Sequence, residues 1–160
     1  MLINQVVINA SPLIVLFKSS QADLLPQLFE TIIVPQAVYD EVTAIKSDAA
    51  ANQLPTVSWI NRTHVDIHPA IAAWDLGIGE SAVLSFALAN PGHRAMVDDS
   101  AARRCARSLR ISTLGTGGAL VLAKRRKLIP SIVKPLQTVQ DAGLWLSTDV
   151  VSLLKQQAGE

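Results

Sequence analysis

Five oxygen-bearing side chains stand where an apolar run gives way to a helix, or close to a helix start: Asn9, Glu41, Glu80, Asp98 and Asp99. Asn9 ends the run Val6-Val7-Ile8 and precedes Ala10-Ser11-Pro12. Asp98 and Asp99 end "AMV", and Glu80 follows the turn that holds Gly77 and Gly79. Glu41 borders the apolar stripe marked by Val38 and Val42. Carboxylates brought together repel one another, and a divalent cation neutralises them. Oxygen donors without His or Cys favour Mg2+ or Mn2+ over zinc. Such a site serves phosphodiester hydrolysis, where one or two ions activate water and stabilise charge on the phosphate.

Each of these residues also has an ordinary structural reading. Asn9 caps a helix or bonds a turn. One of Asp98 and Asp99 is an N-cap for the helix that follows, but two caps are not needed. Glu80 in a first helical turn is favoured by the helix dipole alone. Glu41 taken singly is a solvated helix acid. What favours function is that all five fall at one expected end of a sheet.

The elements that must position them follow from periodicity. Residues 5–9, 31–35, 94–99 and 111–115 read as buried strands, and 57–65 as an edge strand. Residues 12–19, 22–29, 35–45, 79–90, 100–110, 116–128, 130–142 and 147–157 read as helices. Pro12 suits a first helical turn, with Ser11 as its N-cap. Residues 46–56 read as a loop or frayed helix. Strands alternating with helices imply a parallel sheet covered on both faces, an α/β/α three-layer sandwich. In such sheets ligands gather beyond the carboxyl ends of the strands. Thr113, Gly115 and Thr116 stand at the same end. "GTGGAL" lacks the Lys-Ser/Thr of a phosphate-binding loop, which argues against a nucleotide-binding domain.

At 160 residues, 49% hydrophobic, the chain suits one domain spanning 1–160. A net charge of +1 leaves any nucleic-acid surface to local patches. A single cysteine, Cys105, excludes an internal disulfide and zinc held by Cys pairs, and it reads as core. His64, His68 and His93 lack metal-ligand spacing and read as surface or loop. No signal-type segment or membrane-spanning run is seen, so a cytoplasmic protein is expected.

Five blocks in this order are specific together: "INASPLIVLFK" (8–18), "IIVPQAVYDEV" (32–42), "WDLGIGESAVLSFAL" (74–88), "VDDSAARRCARSLRI" (97–111) and "LGTGGALVLAKRRKLIPSI" (114–132). On these the chain resembles PIN-domain proteins, and within them the DUF3368 branch. The resemblance implies a Mg2+- or Mn2+-dependent ribonuclease, often the toxin of a type II toxin–antitoxin pair, and often a homodimer blocked by a small antitoxin. It puts the first acid on Asn9, the second on Glu41, the third on Glu80 and the fourth on Asp99, with Asp98 as substitute or support. Glu41, Glu80, Asp98 and Asp99 are then the catalytic acids, Asn9 joins them as metal ligands, and Ser11 and Thr116 are supporting polar residues. Asn9 departs from the pattern: its amide oxygen coordinates as a neutral ligand, and one negative charge is missing. The alternative is therefore a catalytically silent module that binds RNA or a protein partner.

Two basic clusters are candidates for RNA phosphate. Arg103, Arg107 and Arg110 share a helix face by spacing, and Arg103 would otherwise pair with the acids when metal is absent. Lys124 and Arg125 open a basic run at a helix end, where the dipole also favours them. Aromatics are only 4%, and Trp59, Trp74 and Trp145 read as packing residues or interface anchors rather than base platforms. A mean hydropathy of +0.32 is high for a solvated monomer and points to a homodimer or a covered antitoxin surface.

Overall fold

The computed structural model describes residues 4–160. The start of the expected domain, residues 1–3, lies outside the described residues. Five parallel strands form one sheet: β1 (Gln5–Ile8), β2 (Thr31–Pro35), β3 (Asn61–Thr63), β4 (Arg94–Met96) and β5 (Thr113–Leu114), in the order β3-β2-β1-β4-β5. Val7 of β1 sits opposite Ile33 of β2 and Ala95 of β4. Val6, Val7 and Ile8 are fully buried, as a central parallel strand covered on both faces requires.

Helices flank the sheet, which makes the expected α/β/α sandwich. The first group to pack together is α1 (Ala10–Lys18), α3 (Gln36–Ala44), α4 (Ala49–Gln53) and α6 (Ile78–Ala89). The second is α2 (Leu24–Leu28), α8 (Thr116–Arg125), α9 (Val133–Asp141) and α10 (Thr148–Gln157). A short α5 (Pro69–Ala72) precedes α6, and α7 (Ser100–Ser108) joins β4 to β5. Chain connections leave β1 for β2 and β3 on one side and for β4 and β5 on the other. The carboxyl ends of β1 and β4 therefore border the point where strand order reverses, the usual place for a ligand crevice.

Several boundaries differ from the sequence reading. Helix α1 starts at Ala10, so Asn9 and not Ser11 holds the N-cap position, and Ser11 and Pro12 lie inside the first turn. Proline is tolerated there because the first four N–H groups have no helical partner. The expected strand 94–99 ends at Met96, although Val97 N–H still donates to Leu114 O at 3.1 Å. Asp98 and Asp99 have already turned away from the sheet. The edge strand shrinks to Asn61–Thr63, and 46–56, expected as a loop or frayed helix, holds the short helix α4 and a 3-10 turn at Leu54–Thr56. Helix α5 was not expected. Its four residues are too few to show a period, and His68 caps it, its Nδ1 accepting from Ala70 N–H at 3.0 Å.

Cys105 is fully buried, and burial pushes its thiol up. Trp59 stacks on Phe17 with centroids 6.1 Å apart, whereas Trp145 is 83% exposed. No helix among the described residues is long and apolar enough to cross a membrane.

Candidate metal centre

Asn9 is where the site begins. Its backbone is fully used: N–H donates to Met96 O at 3.1 Å, and its carbonyl accepts from Leu13 N–H at 3.5 Å. The side chain is not used. It occupies the N-cap position of α1 in extended geometry yet caps nothing. It is 2% exposed, and its Oδ1 is buried with no hydrogen-bond partner. The capping explanation for Asn9 therefore fails, and a buried acceptor left open needs another reason.

Gly79 identifies what faces that oxygen. A Cβ built on Gly79 would lie 3.2 Å from Asn9 Oδ1, 3.4 Å from Val38 Cγ2 and 3.5 Å from Glu41 Oε1. Asn9 at the end of β1 and Glu41 on α3 thus bring oxygens to the same bare spot on α6. Helix α6 leads into β4, so its first turn lies at the carboxyl end of the sheet. That puts Glu80, one residue on, at the same edge. Partial burial holds the Glu41 carboxyl above the usual carboxylate range, and the negative charge of Glu80 raises it further. Glu80 Oε2 folds back against Gly77, the N-cap residue of α6.

The two aspartates part company. Asp98 turns toward the start of α8, where Oδ1 accepts from Thr116 N–H at 2.8 Å and Oδ2 from Thr116 Oγ1–H at 2.6 Å. Arg103 stands beside it. A Cβ on Gly115 would lie 2.9 Å from Arg103 Nη1 and 3.2 Å from Asp98 Oδ1. Arg103 makes no ion pair among the described residues, and its Nη1–H donates to Val97 O at 3.5 Å. Asp99 is exposed, and its Oδ2 accepts from Ala102 N–H at 2.9 Å as the N-cap of α7. One of the pair is thus the cap, and it is the residue to which the resemblance gives the fourth acid. Ser11 is exposed in the first turn of α1.

The basic residues also divide. Arg103 lies in the first turn of α7, near the crevice, and Arg107 in its last turn. Lys124 and Arg125 do not belong there. They end a ten-residue helix that starts at the carboxyl edge, about 15 Å away at 1.5 Å per residue. Both are already engaged. Lys124 pairs with Glu160 at 3.2 Å, and Arg125 Nη2–H donates to Gln157 O at 2.8 Å. In this structure they fasten Gln157 and Glu160 to the end of α8, at the opposite edge of the sheet.

No three acid, His or Cys side chains among the described residues close on one point. Two facts account for this: a neutral amide stands in the first position, and Asp98 is turned to Thr116. What remains is Asn9 Oδ1 with Glu41 and Glu80. These are oxygen donors only: Asn9 Oδ1, buried and open, and Glu41 Oε1 face the space that a Cβ on Gly79 would fill, and Glu80 stands in the same helical turn against Gly77. That donor set suits a hard divalent cation. Neither Gly79 nor the Arg62 guanidinium stacked 4.1 Å over the Tyr39 ring was singled out by sequence reasoning. Only the Gly-rich turn around Gly79 signalled the first.

No curated protein matches the chain. The family model DUF3368, a PIN domain, matches residues 5–160. PIN domains have a nuclease fold, are typically dependent on divalent metal and point to nucleic-acid binding. A 3-2-1-4-5 parallel sheet, acids at the strand-order reversal and a match over nearly the full length agree, and the chain belongs to the PIN-domain family, in its DUF3368 branch.

Proposed function

We propose that the chain is a ribonuclease that hydrolyses RNA phosphodiesters with Mg2+ or Mn2+ as cofactor. The observation that carries this reading is Asn9 Oδ1, buried and unpartnered beside Glu41 Oε1 over Gly79. A buried acceptor without a partner costs about 1–3 kcal/mol, which a bound cation would offset. When bound, the cation supplies activation of water and neutralisation of charge on the phosphate. Asn9, Glu41 and Glu80 would hold it. Thr116 keeps Asp98 oriented at the neighbouring strand end, and Arg103 offers its guanidinium to an RNA phosphate there. Asp99 enters this reading as the cap that holds α7, and with it Arg103, in place.

The test is cleavage of a mixed single-stranded RNA panel with Mn2+ or Mg2+, comparing wild type, Asn9→Asp, Glu41→Gln and Asp99→Ala. Wild type cuts and Glu41→Gln does not; equal cutting by Glu41→Gln overturns the assignment. One observation favours a second reading, a silent module that binds RNA or a protein partner: an amide replaces the first carboxylate. Cutting by Asn9→Asp alone would establish it. We further read the chain as a cytoplasmic homodimer and the toxin of a toxin–antitoxin pair. Growth arrest on expression, relieved by a neighbour-encoded small protein, tests the toxin role, and light scattering at micromolar concentration tests the dimer.

A further inference from the structure

We propose that Gly79 is a positioning residue for the cation: it is glycine in order to keep open the space between Asn9 Oδ1 and Glu41 Oε1. This rests on the metal-dependent reading above.

Glycine at 79 has no backbone reason. Its φ is not positive; among the described glycines only Gly143 and Gly159 have that conformation. Glycine is a poorer helix former than alanine, by up to about 1 kcal/mol in a helix interior, and Gly79 stands in the first turn of α6, so its presence there calls for a local reason. Packing is the usual cause, and Gly117 illustrates it: a Cβ there would lie 2.5 Å from Leu154 Cδ1, an apolar neighbour on another helix. At Gly79 the neighbours differ in kind. Two of the three nearest atoms are acidic or amide oxygens, one of them buried without a partner. A methyl group cannot bond either oxygen. It would instead fill the volume next to both. Mg2+ sheds water reluctantly and usually keeps several water ligands, so such a site needs room beyond its protein oxygens. Gly79 provides that room on the α6 side. The contact with Val38 Cγ2 at 3.4 Å is ordinary packing and does not require glycine.

The experiment is Mn2+ titration calorimetry on the full chain, well below the melting temperature, with metal-free melts alongside. Wild type, Gly79→Ala and Val38→Ala are compared. Val38→Ala loosens the same wall without closing the space. Gly79→Ala is expected to weaken Mn2+ binding by roughly 10–100-fold, the range seen when the surroundings of metal ligands are disturbed. Its metal-free melting temperature stays level or rises, and Val38→Ala keeps near-wild-type affinity. Wild-type Mn2+ affinity in Gly79→Ala overturns the assignment, as does an equal loss in Val38→Ala, which would make the effect one of packing. Failure of Gly79→Ala to fold also overturns it, because contacts of 3.2 Å and longer are relieved by shifts of tenths of an ångström. Absence of Mn2+ binding in wild type overturns the metal reading itself, a result distinct from equal binding by wild type and Gly79→Ala.

Discussion

Thr116 holds both carboxylate oxygens of Asp98, one through its backbone N–H at 2.8 Å and the other through its hydroxyl at 2.6 Å. The threonine is fully buried, so this clamp links the end of β4 to the first residue of α8 in a place water does not reach from the threonine side. Hydrogen bonds to a charged acceptor are worth about 1.5–3 kcal/mol. Thr116→Val keeps the shape and removes the hydroxyl. We expect it to destabilise the fold by about 1–2 kcal/mol, toward the low end because Asp98 is only half-buried, and to reduce cleavage because Asp98 is then held by one bond. Urea denaturation and RNA cleavage check the two parts separately.

Helix α10 presses on the residue next to this clamp. Leu154 fills the space over Gly117, where a Cβ would lie 2.5 Å from its Cδ1. Gly117→Ala should cost about 1–3 kcal/mol by overpacking. Leu154→Ala costs stability on its own by leaving a gap. Combined, the two changes should cost less than their sum, since the new methyl occupies space that the leucine vacated. A double-mutant cycle in urea measures that coupling, and strict additivity would place the two side chains out of contact.

Glu160 is the other fastening of this helix. Its carboxylate accepts from Ile132 N–H at 2.8 Å and from Ser131 Oγ–H at 2.5 Å, and it pairs with Lys124. The Ile132 backbone bond, then the Ser131 bond and then Lys124, pull its pKa from 4.5 to about 2. A depressed carboxylate pKa adds stability above the unfolded value and loses it as pH falls through the folded one. The stability difference between wild type and Glu160→Gln should therefore be full at neutral pH, shrink below about pH 4.5 and vanish near pH 2. Paired melts across that range check it.

Glu41 shows the opposite sign. Burial first, and Glu80 second, raise its pKa, so the folded state disfavours its charge. The destabilisation is absent at low pH, where both states are protonated, and grows as pH rises past the unfolded value. Glu41→Gln should then raise the metal-free melting temperature at neutral pH while abolishing Mn2+ binding. Such a trade is expected where a site keeps charges that the fold alone would discard. A lower melting temperature for Glu41→Gln would show that the carboxylate supports the fold instead.

Much of this was legible in the chain itself. Continuous β-branched runs at 6–8 and 31–34 cannot be solvated on either face, so they require a buried parallel sheet, and the alternation with amphipathic segments requires helices on both sides. The strand-order rule then places Asn9, Glu80 and the aspartates at one edge. Short elements were less legible: α5, with four residues, carries too little periodicity to announce itself, and β5 was expected over 111–115 but keeps only Thr113–Leu114.

What sequence alone determined, then, was the layered fold, the family and the edge at which polar residues collect, because all three depend on local pattern and chain order. Tertiary structure decided the partners. Asp98 and Asp99 are neighbours of equal chemistry, yet one meets Thr116, 18 positions away, and the other caps its own helix. Lys124 and Arg125 are adjacent basic residues at one helix end, yet one meets the Glu160 carboxylate and the other the Gln157 carbonyl, more than 30 positions away. Asn9 resembles a cap until its oxygen is found buried beside Gly79 and Glu41, on elements 32 residues and more away in sequence. Hydrogen bonds and charge interactions act over a few ångströms in space, and distance along the chain does not encode which residues will meet.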